Sequence, residues 1–361
     1  MTTSRSLLPL VLATVTNTLT ALRSPPGAAP EDGESSSTNE IRRDLVTLLA
    51  VLSKQATNYT LALKTPPDET AAFATLEKIK DGVDKLRFLG QLLAVQSRRP
   101  GELGKRLRWS LSESFESLSA FLSLSAAYLP PNPTATSARD RKQLLSSCKT
   151  FWNVVEQIER DLPASELDAV RHAWKDVAAL LEDCEAEIKE LSAGKGSEND
   201  GGDASEEETS GEMSETSRSI IVTANSFLRL SRLLVVRLLA LTDPSPTSSS
   251  SRAVPGRFES DESLATLTTH IHALSEKADD LASALDEVQD MDEDPQVGEG
   301  VKAVVGEMVA TGEAVAQEIE RALGGAAGED DDERIANVTE WLKVWRLQRD
   351  QAETKLKALL P

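Results

Sequence analysis

Cysteine is almost missing from these 361 residues, with only Cys148 and Cys184. Two are too few for a disulfide framework or a cysteine-based zinc site, and a reducing compartment is the simplest setting for them. Histidine is nearly as rare, at three. Aromatic residues make up 4%, and the apolar set is mainly Leu, Ala and Val, which favours helix over strand. No alternating strand pattern and no Asn-Gly hairpin signal occurs. Positive charge is outweighed, giving a formal net charge of −20. That argues against a general nucleic-acid binder and against an anionic membrane surface as partner. No uninterrupted apolar run reaches the ~20 residues of a membrane span.

The catalytic inventory is equally thin. No HExxH, G-x-S-x-G, P-loop or GxGxxG pattern is present. His270 and His272 are two apart, so a helix points them to different faces. His172 and Cys184 could form a nucleophile pair only through tertiary accident. The runs of carboxylates, such as Asp279-Asp280 and Asp290 to Asp294, have the spacing of solvated helix faces. The sequons Asn58-Tyr59-Thr60 and Asn337-Val338-Thr339 fall on core-facing helices and read as chance. No cofactor, no metal and no enzymatic activity is expected.

What the sequence does hold is apolar residues spaced four and three apart, along most of its length. At the N-terminus Leu8, Leu12, Val15, Leu19 and Leu22 describe a helix packing on other helices rather than a signal sequence. Ser37 and Glu40 form a capping box before a face of Ile41, Leu45, Leu48, Leu52, Ala56 and Tyr59. Prolines near 66, 100, 130 and 163 end successive helices. A sixth helix starts at Ser165 and carries Trp174, Leu181 and Cys184. A seventh runs from about Ser217 to Leu241, an eighth through Leu264 to Val288, and a ninth opens on Pro295. The tenth contains Leu342 and Leu356. The expected fold is all-α, about ten helices in two antiparallel bundles.

Between Ser197 and Glu215 the composition changes to eight acidic residues, four serines and three glycines, with no basic residue. Such a segment cannot offset the entropy of ordering and reads as a flexible acidic linker. The expected domains are therefore 1–192, a linker over 193–216, and 217–361. Ser205 and Thr209 stand before acidic residues, as substrates of an acid-directed kinase would. The helix that follows has Arg218, Arg229, Arg232 and Arg237 and no acidic residue from Thr216 to Thr242. The linker could fold back on it.

Three segments carry a resemblance. They are Leu52-Ser53-Lys54-Gln55-Ala56-Thr57-Asn58-Tyr59-Thr60-Leu61-Ala62-Leu63-Lys64-Thr65-Pro66-Pro67, the stretch Cys148-Lys149-Thr150-Phe151-Trp152-Asn153-Val154-Val155-Glu156, and Leu281-Ala282-Ser283-Ala284-Leu285-Asp286. In these the chain resembles the cyclin-D-interacting protein (GCIP) family. The resemblance implies an all-α protein with two helical regions. It also implies partners among cyclins and helix-loop-helix transcription factors, a role in restraining cell-cycle or differentiation programmes, and a place in cytoplasm and nucleus. It maps no cyclin-contacting residue. The long acidic linker and the Ala-rich second half depart from the family pattern.

The expected function is thus a non-enzymatic protein-interaction regulator. A helical structural or cytoskeletal scaffold is the alternative. Trp341 and Trp345, four apart on the last helix, are the candidate partner surface, because Trp is enriched in binding hot spots. The same spacing equally suits a core pair.

Overall fold

The computed structural model describes residues 3–24, 37–64, 67–95, 101–129, 138–192, 214–243, 258, 260–290, 295–324 and 332–360. Among them are ten α-helices, one short 3-10 turn and no strand. The helices are α1 (Ser4–Arg23), α2 (Thr38–Ala62), α3 (Glu69–Val95), α4 (Glu102–Ser125) and α5 (Ala138–Asp161). Then come α6 (Glu166–Ser192), α7 (Glu215–Leu241), α8 (Asp261–Asp290), α9 (Pro295–Leu323) and α10 (Asp332–Leu359).

The helix starts are legible in side-chain chemistry. Ser37 caps α2, and Glu40 accepts from the Ser37 backbone N–H at 3.1 Å. Pro295 opens α9, where its missing N–H costs nothing. Where two apolar residues adjoin, the buried one is often the neighbour of the one expected. Leu49 is buried and Leu48 only partly so; Val305 is buried and Val304 half-exposed. A helix turns about 100° per residue, so either choice satisfies a four-three pattern and only tertiary packing selects between them.

The chain forms two compact units, residues 1–169 and 170–361. In the first, α1 lies against α3 and α4, α2 against α3 and α5, and α4 against α5. Helix α4 also reaches α2 and α3. Its core includes Leu45, Leu52, Tyr59, Leu76, Leu111, Phe115, Phe121 and Phe151. Tyr59 and Phe121 meet edge to face at 6.2 Å. Gly82 lets α3 approach α2: a Cβ there would lie 2.7 Å from Leu52 Cδ2.

Two long-range caps finish this unit. The Glu166 carboxylate accepts from the backbone N–H groups of Glu102 and Leu103, at 2.6 and 3.1 Å. It thereby satisfies the first turn of α4 and places negative charge at that helix's positive end. Gly101 makes room, since a Cβ on it would sit 2.4 Å from Glu166 Oε1. On the other side Arg42 donates to the carbonyls of Leu162 and Pro163, the exit of α5.

In the second unit α7 contacts α8, α9 and α10, and α8 contacts α9. Helix α6 joins them through side chains. The Trp174 indole N–H donates to the Thr268 hydroxyl at 3.2 Å, and Arg171 donates to the Leu239 carbonyl at 2.7 Å. Arg232 of α7 pairs with Glu182 and Glu185 at 3.1 Å each.

The division at 169/170 differs from the expected boundary at 193–216. A polar stretch shows where the chain cannot bury itself. It does not show which neighbours the helix before it will choose, and α6 from Val170 onward packs on the helices that follow. The linker itself, with Ser205 and Thr209, lies outside the described residues, as does the suggestion that it folds back on α7.

Two helices, α1 and α7, are long and apolar enough to cross a membrane by length and composition alone. Neither holds an uninterrupted apolar run of that length; both pass on average hydropathy, because the Ser and Thr residues within them are only mildly hydrophilic. The buried face of α1 (Leu7, Leu8, Val11, Val15, Leu22) packs in the first bundle, and 56% of the apolar window of α7 is buried in the second.

Candidate interaction surface

The side chains singled out for chemistry are held apart. His172 and Cys184 both sit on α6, twelve positions or about 18 Å apart along one helix axis, so they form no pair. The Cys184 thiol faces Asp279 at 3.7 Å. Burial, followed by the Asp279 charge, pushes it up to about 11, so it stays protonated and poorly nucleophilic. Among the described residues no group of three or more His, Cys, Asp or Glu side chains could hold a metal ion. Both sequons lie inside helices; Thr60 is buried with its hydroxyl on the Ala56 carbonyl, and Thr339 donates to Ile335.

The tryptophan pair is divided by its surroundings. Trp345 is 4% exposed, and its indole N–H donates to the Leu230 carbonyl at 2.9 Å. Arg349 lies over its ring at 5.3 Å and also binds Glu313. It is a core side chain joining α10 to α7, which corrects the expectation of a partner surface at that residue. Trp341 is half-buried, with the Arg237 guanidinium 5.5 Å from its ring centroid. Around Trp345 a charged lattice ties α9 to α10: Arg346 binds both Glu313 and Glu320. Burial alone would raise the Glu313 carboxyl, but Arg346 and Arg349 hold it below its ordinary value.

The first unit has a surface the sequence did not point out. An open groove of about 710 Å³ runs between α4 and α5. Glu113, Glu116, Ser117, Ala120 and Leu124 form its α4 wall. Gln143, Ser146, Ser147, Thr150 and Val154 form the α5 wall. Each set repeats at three and four residues, the signature of one helix face. One turn before Glu113 on that row stands Trp109, 57% exposed. Glu116 pairs with Arg23 at 2.5 Å. Glu113 makes no ion pair among the described residues, and burial, then the neighbouring Glu116, raises its carboxyl. The Ser117 hydroxyl is buried without a hydrogen-bond partner.

A smaller cavity, about 300 Å³, lies among α1, α3 and α4 beside Leu22, Arg87, Gly90 and Arg108. Other exposed apolar side chains include Phe88 on α3, Leu145 on α5, the α7 stripe of Val222, Leu233 and Val236, and Leu347 on α10. One sign of the α4–α5 groove was available beforehand. Trp109 falls off the Leu107, Leu111, Phe115 core face, and a tryptophan off the core face of an amphipathic helix has to be explained.

No curated protein matches the chain. A family model does, over residues 44–194, the stretch that runs through α2 to α6 and supplies both walls of the groove. It takes in the Leu52–Pro67 and Cys148–Glu156 segments and leaves Leu281–Asp286 outside. That model is described as Grap2 and cyclin-D-interacting, N-terminal, and over that stretch, which is less than half of the chain, the protein is similar to this family.

Proposed function

We propose that the chain is a non-enzymatic protein-interaction regulator. It acts on cell-cycle progression or transcription, in cytoplasm or nucleus, by binding a cyclin-like or helix-loop-helix partner through its first helical unit. The observation that carries this reading is the family match, whose description names interaction with cyclin D, over residues that include an open, partly apolar groove. Grooves between helices take amphipathic helices from partners. Ser205 and Thr209 belong to the same proposal as phosphorylation sites, which intact-mass analysis of cell-derived protein would reveal. The central test is calorimetric titration of the purified full chain with a D-type cyclin and, separately, with a helix-loop-helix protein. Saturable one-to-one binding to either is expected. Heat no greater than buffer dilution for both would overturn the assignment.

A further inference from the structure

We infer that the α4–α5 groove is built for one amphipathic helix of a partner protein that presents a lysine or arginine to Glu113 and apolar residues to Ala120, Leu124 and Val154. The inference deepens the proposed protein-binding function and rests on it for biological context.

Four observations converge. The α4 wall from Glu113 to Leu124 spans eleven residue steps, about 16 Å of helix, so it offers a seat roughly three turns long, with Trp109 one turn beyond it. Its walls include the small and apolar side chains Ala120, Leu124 and Val154, alongside the small polar Ser146, Ser147 and Thr150. A second helix can come close over such a surface without displacing bulky groups. The charge is concentrated at one end. Arg23 already pairs with Glu116, while Glu113 is left partly buried beside a like charge with no ion pair among the described residues. A carboxylate in that position gains from an incoming cation and repels an incoming anion. Finally, the exposed Trp109 ring stands one turn beyond Glu113, where it would cover the end of the docked helix or stack on its cation.

The polarity is therefore fixed. The basic residue of the partner lies at the Glu113 end, and its apolar face continues toward Leu124.

Two fluorescent, hydrocarbon-stapled four-turn peptides with the same Leu/Ala face test this directly. One carries Lys at its first-turn polar positions and the other carries Glu. Fluorescence anisotropy with the full-length protein should show the Lys peptide binding about tenfold more tightly than the Glu peptide. Glu113→Lys should reverse that preference, Trp109→Ala should weaken the Lys peptide, and Thr150→Trp should block both. Glu77→Lys, the same charge change on α3, should alter neither. Equal binding of the two peptides, no binding of either, or a Glu77→Lys effect as large as that of Glu113→Lys would overturn the inference. So would a concentration-dependent dimer abolished by Thr150→Trp in light scattering, which would assign the groove to a second copy of the chain. Cyclin binding that survives every groove variant would remove the groove and leave the proposed function. Peptide discrimination without any cyclin or helix-loop-helix binding would do the reverse.

Discussion

Replacing Gly82 by alanine sets two effects of opposite sign against each other. In a helix interior alanine is favoured over glycine by about 0.5–1 kcal/mol, largely through backbone entropy. Against this, a Cβ at position 82 would lie 2.7 Å from Leu52 Cδ2, 2.9 Å from Cγ and 3.4 Å from Cδ1. Rotation about χ2 could move the two methyls, but Cγ moves only with χ1 or with the backbone. Leu52 is 1% exposed and has nowhere to turn. Overpacking of this kind costs about 1–3 kcal/mol, and the need to shift Cγ places it in the upper half of that range. The net expectation for Gly82→Ala is a loss of about 1–2 kcal/mol, or roughly 3–8 °C in Tm for a unit of this size. Gly306, in mid-α9, meets nothing within 4 Å, so Gly306→Ala should gain about 0.5–1 kcal/mol from the same entropy term with no clash. Urea unfolding followed by circular dichroism measures both. A double-mutant cycle isolates the clash: in a Leu52→Ala background Gly82→Ala should become stabilising, with about 2–3 kcal/mol of coupling. If Gly82→Ala raises stability in the native background, or has the same effect in both backgrounds, then α2 and α3 are not in the close contact described.

The Tyr59 hydroxyl is buried, with the Ser125 hydroxyl as a neighbour too poorly aligned for a full hydrogen bond; burial pushes it up to about 12, against a smaller lowering by Ser125. Tyr59→Phe should therefore change stability by less than about 1 kcal/mol in a thermal melt, since only a weak contact to Ser125 is lost. Glu166→Ala removes the acceptor for two N–H groups at the start of α4 and should cost about 0.5–2 kcal/mol in urea unfolding, with Glu166→Gln retaining part of it. Glu313 has a lowered carboxyl, so its contribution is present above the ordinary glutamate value and is lost as pH falls through the folded value. The Tm should fall more steeply below pH about 4.5 in the native protein than in Glu313→Gln, and parallel pH profiles would refute that. Cys184 should resist iodoacetamide in the folded protein at neutral pH and react once urea is added, as mass spectrometry will show.

The helices were readable because burial imposes the four-three spacing and prolines punctuate it. The capping box at Ser37 and Glu40, the opening at Pro295 and the exit of α6 at Ser192 all follow from local chemistry. The allegiance of α6 was not readable, because it depends on Trp174 meeting Thr268, 94 positions away. The candidate site was legible only in part. Trp341 and Trp345 share one spacing and differ in burial, a distinction that periodicity alone cannot make. The groove depends on which faces of α4 and α5 remain uncovered, a property of the bundle rather than of either helix.

The Glu166 cap also has a consequence in time. Glu102 emerges from the ribosome 64 residues before the carboxylate that completes its helix. At ordinary synthesis rates that is a wait of about 3–13 s, during which the first turn of α4 has only water and Gly101 for company. The first bundle can therefore collapse early but cannot close its last open helix end until α5 has been made and the chain has turned into α6. A fragment cut at Asp161 would hold all five helices of that bundle and still be unfinished.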